Sequence, residues 1–160
     1  MNLNLLRPNR IYRSVLEIPL EDLLRAGIRG MIIDLDNTLT EWRNPVLSQE
    51  TVAWLERAKN LGFRVCFVSN NSTRRVQEVA QRLGFPFVAR AQKPRRRSFR
   101  HALEIMGTRA EETAVIGDQI FTDVLGGNRA GLYTILVAPI SRREFFGTRL
   151  MRLLERLILK

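Results

Sequence analysis

The stretch Met31-Ile32-Ile33-Asp34-Leu35-Asp36-Asn37-Thr38-Leu39-Thr40 constrains the fold of this chain more than any other. It opens as a short apolar run, of the kind a strand carries when both faces of a parallel sheet are covered. It then breaks into two aspartates one residue apart. Side chains alternate along a strand, so Asp34 and Asp36 project to the same side where the strand ends. Two carboxylates that close repel each other and raise one pKa unless a cation sits between them. A hard divalent cation such as Mg²⁺, which takes oxygen ligands, suits the pair. One carboxylate is then free to act as nucleophile and the other as general acid/base. An ordinary Asx-type turn at a strand end is the plainer alternative.

The rest of the chain repeats the pattern of an apolar run ending in polar groups. Strands are expected at Met31 to Leu35, Arg64 to Val68, Phe85 to Ala89, Thr113 to Ile116 and Tyr133 to Val137. Helices alternate with them. One starts at Pro19, buries Leu20, Leu23 and Leu24, and closes at Gly27. Another is capped by Ser48, turns Val52, Leu55 and Ala58 inward and ends at Gly62. A third runs from Thr73 to Gly84 on Val76, Val79, Ala80 and Leu83. A fourth follows Lys93-Pro94 with Phe99, Leu103 and Met106 inward, and a fifth runs from about Ile120 to Arg129 before Gly131. Residues 1–18 read as a basic lead-in, irregular or briefly helical. Residues 40–47, with Trp42 and Pro45, read as a flap over the first strand end. Strands alternating with helices of this length predict a doubly wound, three-layer αβα sandwich on a parallel five-stranded sheet. A single domain over 1–160, with its core at about 28–140, is the expectation.

Composition narrows the setting. No apolar run approaches the roughly 20 residues of a membrane-spanning helix. Residues 1–13 carry Arg7, Arg10 and Arg13 but no apolar core, so they do not read as a secretory signal. The single Cys66, inside Val65-Cys66-Phe67-Val68, reads as a buried small residue of a reducing compartment. A cytoplasmic protein is therefore expected. The net charge of +10 predicts attraction to polyanions: nucleic acid, anionic lipid or phosphorylated small molecules. Lys59, Lys93 and Lys160 are the only lysines, the other cations being arginines.

Four chemical clusters stand at successive strand ends: Asp34/Asp36/Thr38, Ser69/Asn70, Lys93, and Asp118/Asp123. Phosphoryl transfer needs this combination of carboxylate nucleophile, hydroxyl and amide donors, a cation against developing charge, and further carboxylates for a metal. Singly, each has a plainer reading as helix cap, turn or solvated charge. Together the order hhhDxDxT, hhhSN, Lys-Pro and hhhGDxxxxD resembles the haloacid dehalogenase superfamily of phosphatases. It is carried here by Ile32 to Thr38, Val68-Ser69-Asn70, Lys93-Pro94, and Ile116-Gly117-Asp118 through Asp123, and spans about residues 30–138. The resemblance implies Asp34 as the nucleophile that becomes an aspartyl-phosphate. It implies Asp36 as the acid that protonates the leaving group and later activates water. Thr38, Ser69, Asn70 and Lys93 would serve the phosphoryl group. Asp34, the Asp36 main-chain carbonyl and Asp118 would hold Mg²⁺, with Asp123 in support. An acid at 36 is typical of the phosphatases and phosphotransferases, whereas the dehalogenases lack it.

Thirty residues separate Thr38 from Ser69 and 23 separate Ser69 from Lys93, which leaves no room for a cap domain. An open cleft suits a large substrate, or one closed over by another subunit. A narrower resemblance lies in Asp34 to Leu39, Val68 to Asn71, and Gly117-Asp118-Gln119 through Thr122 to Arg129. These look like the YqeG-type group of small class IIIA phosphatases, itself similar to the phosphatidylglycerophosphate phosphatases of mitochondria and plastids. Gly126-Gly127-Asn128-Arg129 exceeds what the generic fold requires. Two readings are open and compatible: Asn128 and Arg129 near the site mouth, and close helix–sheet packing by the two glycines.

Both basic surfaces fit an anionic lipid. Residues 145–159 combine Phe145, Phe146, Leu150, Met151, Leu153, Leu154, Leu157, Ile158 and Leu159 with Arg149, Arg152 and Arg156. A helix over about 142–160 would lie on an anionic membrane or pack on the sheet. Lys93, Arg95, Arg96, Arg97, Arg100 and His101 would meet an acidic headgroup or stay solvated. The leading expectation is a Mg²⁺-dependent phosphomonoesterase acting on a phosphorylated lipid headgroup, with phosphatidylglycerophosphate first, peripheral on the inner face of the membrane. A nucleic-acid end phosphatase and a non-catalytic module docking on RNA or the ribosome are the alternatives. A homo-oligomer is compatible with either.

Overall fold

The apolar run before the aspartates becomes a strand because every residue in it is covered from both sides. The structure, a computed structural model, describes residues 2–140 except 42, 43, 45 and 72, together with 156 and 159. In it β1 spans Arg10–Tyr12, α1 Leu20–Arg25, β2 Gly30–Ile33, α2 Gln49–Asn60, β3 Arg64–Val68 and α3 Thr73–Leu83. There follow β4 (Phe87–Val88), α4 (Arg96–Met106), β5 (Thr113–Gly117), α5 (Leu125–Arg129) and β6 (Tyr133–Val137). The sheet has the order β1-β6-β5-β2-β3-β4, with every pairing parallel.

Alternation sorts the strand residues into two cores. Met31 and Ile33 of β2, Val65 and Phe67 of β3, and Ala114 and Ile116 of β5 pack under α1, α2 and α3, against Leu20, Leu55, Ala58, Val76 and Ala80. Ile32, Cys66, Val68 and Val115 face the other way, onto Phe99, Ala102 and Met106 of α4. Burial pushes the Cys66 thiol up to about 12, so it stays protonated at neutral pH. Three layers result, as the alternation of elements predicts, with no cap inserted among the described residues.

The sheet reverses direction between β2 and β5. From β2 the chain steps outward through β3 to β4; it then returns to β5 on the other side and steps through β6. Such a switch point opens a crevice beyond the carboxyl ends of the strands. Asp34 follows β2 and Asp118 follows β5, so both stand at its lip.

Four local expectations change. The sheet has six strands, not five, because the lead-in contributes β1, whose Ile11 lies opposite Leu136. Asn9 prepares that pairing by accepting from the Thr134 amide at 2.8 Å. β2 ends at Ile33 rather than Leu35, because the chain turns at once into the aspartate loop. β4 is only Phe87–Val88, pairing with Phe67 and Val68, so Phe85 and Ala89 stay outside the strand and Pro86 contributes only its carbonyl, which accepts from the Phe67 amide at 3.0 Å. The element from Ile120 begins as a π-helical turn, Ile120–Val124, before α5. The expected amphipathic helix over 142–160 lies outside the described residues except for Arg156 and Leu159, both helical and exposed. Trp42 and Pro45 of the flap also lie outside them.

The paired glycines of α5 are packing residues. A Cβ on Gly126 would strike the Phe99 ring, and one on Gly127 would strike Val115 and come within 2.8 Å of Thr134 Cγ2. Gly127→Ala is therefore expected to cost about 1–3 kcal/mol of stability. A urea titration would show it as a lower midpoint at unchanged slope. A midpoint equal to the parent's would overturn this account of the glycine pair.

Candidate active site

Asp34 sits one residue past β2, and its amide extends the ladder by donating to the Ile116 carbonyl at 2.9 Å. The loop behind it is a tight turn. The Asn37 amide donates to the Thr40 carbonyl at 2.7 Å, and Asn37 takes φ 59°. Asparagine is among the few side chains that tolerate this left-handed region. The turn buries Thr38 beneath the carboxylates, where its hydroxyl lies 3.3 Å from Asp34 Oδ2 and 3.2 Å from Asp118 Oδ1.

Lys93 arrives from the far side of the crevice. Asn70, just beyond β3, clamps its backbone: Asn70 Oδ1 accepts from the Lys93 amide at 2.8 Å and Nδ2 donates to its carbonyl at 3.4 Å. Two further backbone bonds, Arg90 N–H to Asn71 O at 2.9 Å and Ala91 N–H to Ser69 O at 3.0 Å, hold the same loop against the β3 end. Arg90 and Gln92 adopt φ 49° and 56° in that loop, a left-handed region that long side chains such as theirs rarely occupy. So fixed, the Lys93 ammonium donates to Asp34 Oδ1 at 2.9 Å and to Asp123 Oδ1 at 2.6 Å.

Asp123 owes its position to the π-helical turn and to a glycine. Its second oxygen accepts from the Gln119 amide at 3.3 Å. A Cβ on Gly117 would land on its carboxylate. Gly117 is thus the space in which Asp123 reaches the site.

Asp34, Asp118, Asp123 and Lys93 are all buried. One oxygen from each of the three carboxylates lies within 4.8 Å of the others. With all three carboxylates ionised, as a bound cation would require, one ammonium leaves two negative charges out of balance in a buried site. Burial, and then repulsion from Asp123 and Asp118, lifts the Asp34 carboxyl well above its ordinary range against the pull of Lys93. Burial works to lower Lys93, but the carboxylates of Asp123 and Asp34 overcome it and raise its pKa. A divalent cation would supply the two missing charges, and carboxylate oxygens are the ligands Mg²⁺ and its hard relatives prefer. The donor set fits such an ion. Asp34, Asp118 and Asp123 could each offer it one carboxylate oxygen.

A pH dependence follows from the raised Asp34 carboxyl. In the unfolded chain Asp34 ionises near its ordinary value, whereas in the metal-free fold it keeps its proton to higher pH. Its contribution to stability is therefore full in acid and is lost as pH rises through the raised value. A cation needs the ionised form and must displace that proton. Divalent cation is expected to raise the melting temperature more at about pH 8 than at about pH 5.5. Equal shifts in the two melting series would contradict it.

Of the residues singled out from the sequence, Asp34, Thr38, Lys93, Asp118 and Asp123 converge here. Ser69 is buried beside them, and its hydroxyl accepts from the Asn71 amide at 3.0 Å. Asp36 lies half-buried outside the carboxylate cluster, its side chain accepting from the Asn71 amide group. Asn71 is the residue that sequence reasoning passed over. The doubled asparagine after Ser69 was its only signal. Asn128 and Arg129 are not brought to the mouth. Asn128 Nδ2 donates to the carbonyls of Leu5 at 2.8 Å and Arg7 at 3.0 Å, tying down the lead-in. Arg129 is exposed at the end of α5, where the crossover has already returned to the amino edge of the sheet.

Comparisons with known proteins agree with the fold. The family model of the haloacid dehalogenase-like hydrolases matches residues 41–131. The chain is 43% identical over 152 residues to the "Probable phosphatase YqeG" of Bacillus subtilis, covering 95% of this chain and 88% of that protein. It is 28% identical over 163 residues to the chloroplastic/mitochondrial phosphatidylglycerophosphate phosphatase 1 of Arabidopsis thaliana, of which it spans only 47%. The cobalt-bound deoxy-D-mannose-octulosonate 8-phosphate phosphatase of Haemophilus influenzae shares the fold, with a TM-score of 0.58 at 16% identity over 84% of this chain and 88% of that one. This chain belongs to the haloacid dehalogenase-like hydrolases, as a phosphatase of that family. Phosphatases of this kind use a divalent metal, which the buried carboxylates fit.

Proposed function

We propose that the chain hydrolyses phosphomonoesters through an aspartyl-phosphate at Asp34, with Mg²⁺ as its cation and phosphatidylglycerophosphate as its substrate. The observation that carries the mechanism is the Lys93 ammonium, held 2.9 Å from Asp34 Oδ1 and buried with it. When bound, the cation offsets charge on the phosphoryl oxygens and on Asp34. A carboxylate oxygen of Asp34 attacks phosphorus, and the bond from phosphorus to the ester oxygen breaks. Asp36 passes its proton to that departing oxygen. Asp36 then takes a proton from water, whose oxygen attacks phosphorus. The bond to Asp34 breaks and inorganic phosphate leaves. Ser69 and Asn70 stand at the β3 end to hold phosphoryl oxygens, and Asn71 aims Asp36. Thr38 sits too deep between Asp34 and Asp118 to reach far into the crevice, so its part is to fix the two carboxylates.

The likeness to the Arabidopsis phosphatase supports the lipid substrate, and so does the basic charge flanking the Lys93 loop. A cleft of about 640 Å³ beside the Lys93 loop is lined by Arg90, Arg95, Arg97, Arg100 and His101. Such a surface draws the protein to an anionic leaflet, at about 1 kcal/mol per arginine near the lipid. Among the described residues no helix is long and apolar enough to cross a membrane, so the enzyme would work from the surface.

The test is phosphate release from phosphatidylglycerophosphate in mixed micelles with Mg²⁺, beside a generic aryl phosphate. Preference for the lipid is expected. Turnover of the aryl phosphate alone would retain the chemistry and overturn the substrate.

A further inference from the structure

A second cleft, of about 500 Å³, opens between the carboxyl ends of β1 and β6 and reaches the carboxylate cluster at Asp118. Its walls are apolar: Ile11 from β1, Leu136 from β6, and Pro139 just beyond β6. Two arginines, Arg13 and Arg156, also line it, outnumbering its one peripheral carboxylate, Glu17, which accepts from the Arg13 backbone amide at 3.1 Å. The wall is tied directly to the aspartate loop. The Ile140 amide donates to the Asn37 carbonyl at 3.0 Å, and the Ala138 amide donates to the Tyr12 carbonyl at 3.2 Å. Ile11 remains 58% exposed, a large apolar side chain left in water on an edge strand.

Hydrolysis at the carboxylates needs none of these residues. A ligand spanning both places must carry a phosphomonoester at one end, a second negative group a few bonds away, and apolar matter beyond it. We propose that this cleft is the subsite for the body of the lipid substrate. Ile11 and Leu136 receive the start of the acyl chains, and Arg13 with Arg156 receives the phosphodiester. The inference rests on the lipid reading of the site and assigns the residues that would select it. Guanidinium groups suit a phosphodiester, which they can engage with paired donors. An apolar wall discriminates by the carbon it buries, so a substrate lacking acyl chains gains nothing there. The orphan occupant this predicts is a lipid, not a polar sugar phosphate.

Ile11 and Arg13 are exposed, so Ile11→Glu and Arg13→Glu should fold as the parent does. The measurement is kcat/KM for monomeric dihexanoyl phosphatidylglycerophosphate and for glycerol 3-phosphate, in the parent and both variants. A fall of about tenfold or more on the lipid, with glycerol 3-phosphate unchanged, is the expected result. Unaltered lipid turnover in both variants would overturn the subsite while leaving the lipid reading intact. An equal fall on both substrates would also overturn it, because the damage would then lie at the carboxylates. A parent enzyme that treats the two substrates alike would overturn the lipid reading itself, and this inference with it.

Discussion

Asp34→Asn is expected to lower phosphate release by at least about 10⁴-fold, because it removes the attacking oxygen rather than a helper. The same change should not weaken the metal-free fold. Asp34 is one of three carboxylates crowded within 4.8 Å, and burial already drives it toward its neutral form. An uncharged amide of nearly the same shape relieves that crowding, and Lys93 keeps its partner in Asp123 at 2.6 Å. The variant should melt no lower than the parent without cation, and divalent cation should raise its melting temperature less. Phosphate assays with thermal melts check both parts. A variant that loses activity because it unfolds would contradict this account of the cluster.

Lys93→Met should do the opposite to stability and much the same to activity. It leaves Asp34 and Asp123 without the ammonium that lies 2.9 and 2.6 Å from them. Stranding buried charges in this way costs about 3–5 kcal/mol. For a chain of this length that is a fall of about 6–20 °C in melting temperature. Phosphate release should drop by about 10²-fold or more, since charge developing on the phosphoryl group loses its fixed counter-charge. Divalent cation should recover part of the stability and little of the rate. Melting curves recorded with and without cation separate the two effects. A variant as stable as the parent would mean that Lys93 is not the balancing charge.

The parts of this protein that were legible in the sequence are those that local chemistry determines. β3 runs over Arg64–Val68 because Val65-Cys66-Phe67-Val68 can be satisfied only by cover on both faces. α2 starts after Ser48 because the serine hydroxyl caps the Thr51 amide at 3.1 Å, and it ends where Gly62 can turn left-handed at φ 92°. The meeting of Asp34, Lys93, Asp118 and Asp123 followed from their placement at strand ends, which a parallel sheet gathers at one edge.

What stayed hidden depends on partners far along the chain. Arg10-Ile11-Tyr12 is too short for any periodicity, and it becomes a strand only because β6 offers an edge more than a hundred residues away. Asn128 looked like a site residue because the run Gly126-Gly127-Asn128-Arg129 exceeds what the generic fold requires. Its real partners, the Leu5 and Arg7 carbonyls, are 123 and 121 residues distant. The π-helical turn at Ile120–Val124 has the same apolar spacing as an α-helix, so no pattern distinguishes it. The short reach of β4 reflects the path of the Lys93 loop, which leaves the ladder at once to turn back toward Ser69 and Asn70.

The central claim is a covalent phosphoryl group on Asp34, and trapping it is the most direct test. The enzyme would be mixed with substrate and divalent cation, quenched, and treated with borohydride, which reduces an acyl phosphate to the alcohol and so converts that aspartate to homoserine. Peptide masses should then place homoserine at position 34 alone, only when substrate and cation are both present. Phosphate released at the normal rate with Asp34 unmodified, or with the label on another residue, would contradict the account.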